Sequence, residues 1–166
     1  VAPSSARRAA ALARHGGAAR AVRFAPAGEL LARAGLDAQV LLLDPRAEAA
    51  PRSIGDHLAG VECLAFSPDG ERLASGARDG RVRVHDREGR LLRICEPAGS
   101  AVLALCWPSP ACVVAATARG GVLRARWGTT DWEVLEAPGE LPVRALLAVA
   151  PEGVLHERSL LAARRR

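Results

Sequence analysis

The chain repeats itself. Residues 15–44 overlay residues 57–86 without a gap, 42 positions apart: His15 falls on His57, Phe24 on Phe66, Pro26 on Pro68, Gly28 on Gly70, Leu31 on Leu73, Asp37 on Asp79, Val40 on Val82 and Asp44 on Asp86. A third copy lies 41 residues on, with Val61 mapping to Val102, Leu64 to Leu105, Phe66 to Trp107, Arg78 to Arg119, Gly80 to Gly121 and Val82 to Leu123. A weaker fourth begins at Leu141, where Val149-Ala150-Pro151-Glu152-Gly153 answers Phe66-Ser67-Pro68-Asp69-Gly70. Self-similarity at this period marks a small unit that cannot bury its apolar face alone and must stack on its neighbours.

Each unit reads as strands. Val61–Ser67 is apolar and runs into Pro68-Asp69-Gly70, where proline presets φ and glycine permits the left-handed step of a turn. Glu71–Ala77 follows, then Arg78-Asp79-Gly80 with its Asp-Gly hairpin signal. Arg81–Asp86 alternates Val82 and Val84 with Arg81, Arg83 and His85, the period of a half-buried strand. Glu88-Gly89 then turns the chain into Arg90–Cys95. Four short antiparallel strands in about 42 residues is the size of one propeller blade.

The run Gly55-Asp56-His57, Val61–Gly70, Leu73-Ala74-Ser75-Gly76 and Asp79–Asp86 resembles a WD-repeat, with His85 where that family usually has the Trp of its Trp-Asp signature. Leu43-Asp44 stands at that place in the first copy. The third copy ends in Arg126-Trp127 and has Gly120 in place of the turn Asp. The resemblance covers about residues 15–160 and is strongest over 55–95. It implies an all-β fold of β-propeller blades, each of four antiparallel strands, in an incomplete, open propeller. Residues 15–56, 57–98 and 99–140 would be three blades, and 141–166 a partial fourth with a basic tail. Residues 1–14 would be an extension or the outer strand of a preceding blade. A ring of seven such blades needs about 290 residues, so further blades from flanking sequence or association of chains are expected.

His57, Ser75 and Asp79 invite a Ser-His-Asp hydrolase reading. No Gly-x-Ser-x-Gly elbow raises Ser75, however. The resemblance implies instead a structural hydrogen-bond network of His57, Ser75 and Asp79, with His85 offering a ring N–H in place of the indole. Arg33 and Ala116 are read at the serine position in the first and third copies. The resemblance also implies a non-catalytic scaffold for protein–protein interaction, with no cofactor. Its contacts would be made through Leu36, Arg78 and Arg119, read as equivalent turn positions of adjacent blades. Fold alone does not fix function. A repeat tail regulating an attached kinase or NTPase is one alternative. His15, His57, His85 and His156 show no metal-ligand spacing, so no metal is expected.

Charge bears on the other alternative, a basic nucleic-acid-binding surface. The formal charge is +5, but all 23 basic residues are arginine, and Lys, Asn, Tyr and Met are absent. Those residues have AT-rich codons, so a GC-rich gene accounts for part of the basicity, and a protein partner is favoured over nucleic acid. Apolar stretches such as Ala101–Pro110 are too short to span a membrane as helices. Cys63, Cys95, Cys106 and Cys112 form no C-x-x-C pair, so free buried thiols in a cytoplasmic setting are expected, the nucleus not being excluded.

Overall fold

The structure is a computed structural model that describes residues 16–47, 49–96, 99–128 and 132–136. Twelve strands are formed among the described residues. Four make the first sheet: β1 (Ala19–Phe24), β2 (Leu31–Gly35), β3 (Gln39–Leu43) and β4 (Arg52–Asp56). The second contains β5 (Val61–Phe66), β6 (Arg72–Ala77), β7 (Val82–Asp86) and β8 (Leu91–Cys95). The third contains β9 (Val102–Ser109), β10 (Cys112–Thr117), β11 (Val122–Arg126) and β12 (Trp132–Glu136). Each sheet is an antiparallel meander with strands adjacent in chain order. Among the described residues, the three sheets are successive blades of an all-β, incomplete propeller. The expected fourth copy and residues 1–14 lie outside the described residues.

The blades stack through their faces, with β5 packed against β1 and β2 on one side and against β9 on the other. At the first seam, Val61, Leu64, Leu73 and Ala77 meet Ala21, Ala32, Ala34, Val40, Leu42 and Ile54. Leu64 and Leu73 are each 1% exposed, and a leucine buried this fully contributes roughly 1.5–3 kcal/mol. At the second seam Cys63, Ala65, Ala74, Val82, Val84 and Cys95 meet Val102, Leu105, Trp107, Val113, Ala115 and Ala125. Small residues alternate with large ones across the seam. Gly76 is the extreme case: a Cβ there would lie 2.6 Å from Val102 Cγ1 and 2.7 Å from Cys63 Sγ. The four cysteines are free thiols, and burial pushes Cys63 and Cys106 up to about 12.

Backbone hydrogen bonds correct the alignment of the third copy. Leu64 pairs with Ser75, whereas Leu105 pairs with Ala115. The Arg78 amide donates to Gly60 O at 2.9 Å, and its counterpart is the Ala118 amide, which donates to Ala101 O at 2.8 Å. Ala115, not Ala116, therefore holds the place of Ser75. Ala118, not Arg119, holds that of Arg78, and Arg119 takes the place of Asp79. Gly120, with φ 79°, answers Gly80, with φ 78°. The Trp-Asp place in this blade is Ala125-Arg126, one residue before the expected position. The cause is a tighter hairpin. Ser109 pairs with Cys112 across Pro110-Ala111, so the offset to the second blade is 41 through β9 and 40 from β10 onward.

One turn is strained. Ala38 sits at φ 67°, where Gly80 and Gly120 stand in the other two blades. A left-handed conformation costs a residue with a Cβ roughly 1–2 kcal/mol, part of which glycine returns as unfolded-state entropy. Ala38→Gly is therefore expected to stabilise the chain by about 0.5–1 kcal/mol, read as a higher urea midpoint at unchanged slope. A lower midpoint would contradict the strain.

Candidate functional site

The loop before β5 and the β6–β7 turn bring His57, Ser75 and Asp79 together. His57 Nε2 lies 2.8 Å from Ser75 Oγ, and His57 Nδ1 lies 3.1 Å from Asp79 Oδ2. A carboxylate can only accept here, so Nδ1 carries the proton and Nε2 accepts from the serine hydroxyl. Asp79 also accepts two amides, Leu58 N–H at 2.9 Å on Oδ2 and Arg81 N–H at 2.9 Å on Oδ1. The His57 amide donates to Ala38 O at 2.9 Å, which ties the loop to the preceding blade.

Burial lowers the His57 pKa and outweighs the opposing pull of Asp79, so the ring is neutral. Burial raises Asp79, but the amides of Leu58 and Arg81, together with His57, more than offset it and hold the carboxyl below its ordinary value. The first blade keeps half of this arrangement. Asp37 accepts Gly16 N–H at 3.1 Å and Gln39 N–H at 3.3 Å, the counterparts of the Leu58 and Arg81 bonds. Buried Arg33 occupies the serine place. His15 and His156 lie outside the described residues.

His85 does not join the network. It is 2% exposed, and its Nδ1 has no partner. Its Nε2 and Cε1 lie against Gly55 of the first blade, where a Cβ would come 2.8 Å from Nε2. No hydrogen bond joins it to Ser75 or His57, and burial lowers its pKa to about 4.

The Ser-His-Asp order has the spacing of a hydrolase triad but lacks access. Ser75 is 0% exposed, within the middle of a sheet. Its hydroxyl faces the imidazole and the Arg83 carbonyl at 3.5 Å. A substrate carbonyl has no route to it. Ser75→Ala is therefore expected to lower stability by about 1–3 kcal/mol, leaving His57 Nε2 unpaired. Equilibrium unfolding in urea would measure it, and an unchanged midpoint would remove the structural role.

The same end of the blades carries the expected contact residues. Leu36 is 42% exposed, and Arg78 and Arg119 reach solvent. Arg78 shares its position with Leu36, while Arg119 sits one place further along its turn. The periodicity gave no sign of a further group, because it forms across a seam. Glu62 of β5 accepts Arg20 Nε at 3.0 Å and Nη2 at 2.8 Å on Oε2, and Arg78 Nε on Oε1. Burial raises Glu62, yet these two guanidinium groups hold it below its ordinary value. Among the described residues, no cluster of His, Cys, Asp and Glu could hold a metal ion.

Comparison with known proteins agrees with the architecture. Residues 51–86 match the family described as WD domain, G-beta repeat. WD repeat-containing protein 1 of Rattus norvegicus is 33% identical over 89 residues, covering 53% of this chain and 12% of that protein. Coronin-7 of Homo sapiens is 40% identical over 65 residues, covering 39% of this chain and 7% of that protein. The chain thus spans a small fraction of the curated relatives it matches. In three dimensions it is similar to the β-propeller domain of Cps50 (Swd1) from Myceliophteria thermophila. The TM-score is 0.66 at 21% identity, over 74% of this chain and 40% of that one. Three four-stranded blades and a matched repeat define a propeller protein of blade-stacked repeats. Residues 51–86 carry a WD repeat, and the fold around them is that of β-propeller blades.

Proposed function

We propose that this chain is a non-catalytic platform for protein–protein interaction, and that partners dock on the end formed by the loop before β5 and the β2–β3, β6–β7 and β10–β11 turns. The observation that carries this reading is the burial of the Asp79–His57–Ser75 chain. These are the residues best suited to chemistry, and all of them are spent on holding loop 57–60 to the turn at 78–80. A rigid loop end of this kind presents side chains at low entropic cost, which is what a binding surface needs. Leu58 is 75% exposed on that loop, and Arg78 and Leu36 stand beside it.

A photo-crosslinking amino acid at position 58 tests the reading, with one at Glu88, in the β7–β8 turn of the opposite end, as the control. Specific protein adducts from position 58 and not from position 88 are expected. Equal labelling from both, or esterase or protease turnover that vanishes with Ser75→Ala at unchanged stability, would overturn it.

A further inference from the structure

The three blades make an internal comparison possible at each loop position, and at one of them the residue exceeds what the fold requires. Leu58 has Gly16 and Gly99 as its counterparts in the first and third blades. Its amide serves the network by donating to Asp79, but its side chain is 75% exposed and serves no packing role. Two residues on, Gly60 lets the chain lie against Leu36, since a Cβ there would be 3.0 Å from Leu36 Cδ2 and 3.2 Å from its Cα. The Gly60 carbonyl in turn accepts the Arg78 amide. Leu58, Leu36 and Arg78 are therefore parts of one continuous surface across the seam of the first two blades.

Beside it the charges do not balance. Arg20 and Arg78 converge on the single carboxylate of Glu62, which is 7% exposed and has both oxygens occupied. The guanidinium side chains are 41% and 52% exposed. Among the described residues, Arg20 Nη1 and both Nη groups of Arg78 carry no other bond. Two cations fixed by one anion leave a net positive charge and outward-facing donors, set in the planar fork that matches a carboxylate. Glu62 fixes their positions in advance, which reduces the ordering cost of binding.

Resting on the platform reading, we propose that the segment docking at this seam is an acidic peptide with an apolar anchor: its carboxylates meet Arg20 and Arg78, and its apolar side chain covers Leu58 and Leu36. Charge complementarity selects this occupant over a neutral or basic segment. The exposed leucines select it over a nucleic acid, whose backbone offers no apolar group to bury.

The probe is a fluorescein-labelled peptide, Glu-Glu-Leu-Glu-Glu-Leu-Glu-Glu, titrated by anisotropy against the full chain. Its lysine counterpart and a single-stranded oligodeoxythymidine of equal charge are the controls. The acidic peptide is expected to bind and the lysine peptide not to. Arg78→Glu should weaken binding by roughly tenfold or more. Leu58→Gly should weaken it several-fold at an unchanged melting temperature, since glycine already serves at that place in the other blades. Glu62→Gln removes the competing negative charge while keeping an oxygen that can still accept from a guanidinium group, and should tighten binding, an effect that misfolding cannot produce. The proposal fails if the acidic peptide does not bind, if Leu58→Gly and Glu62→Gln both leave its affinity unchanged, or if the oligonucleotide binds in preference. Crosslinks from position 58 alongside any of these results would retain the platform and remove its acidic partner.

Discussion

Asp79→Ala should cost at least about 3 kcal/mol, because the carboxylate anchors three donors at once. Its removal orphans the amides of Leu58 and Arg81 and the Nδ1–H of His57. A hydrogen bond to a charged group contributes roughly 1.5–3 kcal/mol, and the donors left behind are partly shielded from water. The third blade supplies the control. Arg119 fills the same turn position there, exposed, in a turn closed by the Gly120 amide donating to Thr117 O at 3.0 Å. Arg119→Ala should therefore stay within about 0.5 kcal/mol of the parent chain. Urea denaturation of the two variants side by side checks the contrast. A loss below about 1 kcal/mol for Asp79→Ala would mean that solvent replaces the network.

Acid should destabilise the chain well above the range where carboxylates titrate. Burial lowers both His57 and His85 in the folded state, His85 to about 4 from an ordinary 6.5. As pH falls through 6.5, the unfolded chain takes up protons that the folded chain refuses. Stability fully present above that pH is then lost progressively, for His85 down to about pH 4. One pH unit corresponds to about 1.4 kcal/mol, so His85 alone accounts for roughly 3 kcal/mol, and His57 acts in the same direction. Asp79, held below 3.8, extends the loss to still lower pH, where its protonation removes the acceptor. Urea midpoints measured between pH 8 and pH 4 would trace the slope. His85→Leu, which copies Leu43 of the first blade, should flatten it and leave the His57 part. A variant that kept the whole acid loss would show that His85 is not its source.

Strands and turns were legible in the sequence because their signals are local. The alternation over Arg81–Asp86 and the Pro-Asp-Gly and Asp-Gly turns place β5 to β8 within a residue of their observed ends. The His57, Ser75 and Asp79 group was legible for a different reason: three residue types with few common uses recur at fixed offsets within one unit. What the sequence could not settle is decided by register. Matching Arg119 to Arg78 keeps an identity, but backbone pairing in β9–β10 rules it out, since a hairpin one residue shorter moves everything downstream of it. The Arg20–Glu62–Arg78 group was also out of reach, since it depends on how closely two blades approach at their inner strands. His85 was also out of reach, since its ring packs on Gly55 of the preceding blade, a contact that one repeat's sequence does not show.

The shortened β9–β10 hairpin has a practical meaning. A residue has been lost at Pro110-Ala111, and yet β10 and β11 re-form their ladder and the Trp127 amide still reaches Ala111 O at 2.7 Å. That end of the blades absorbs a change of length without passing it to the sheets, while the loop end is fixed by bonds that count residues, such as Leu58 and Arg81 to Asp79. Epitope tags, fluorophore-bearing cysteines or a whole inserted domain therefore belong between the first two strands of a blade. Placed there, a reporter sits at the far end of the molecule from loop 57–60 and leaves its anchoring intact.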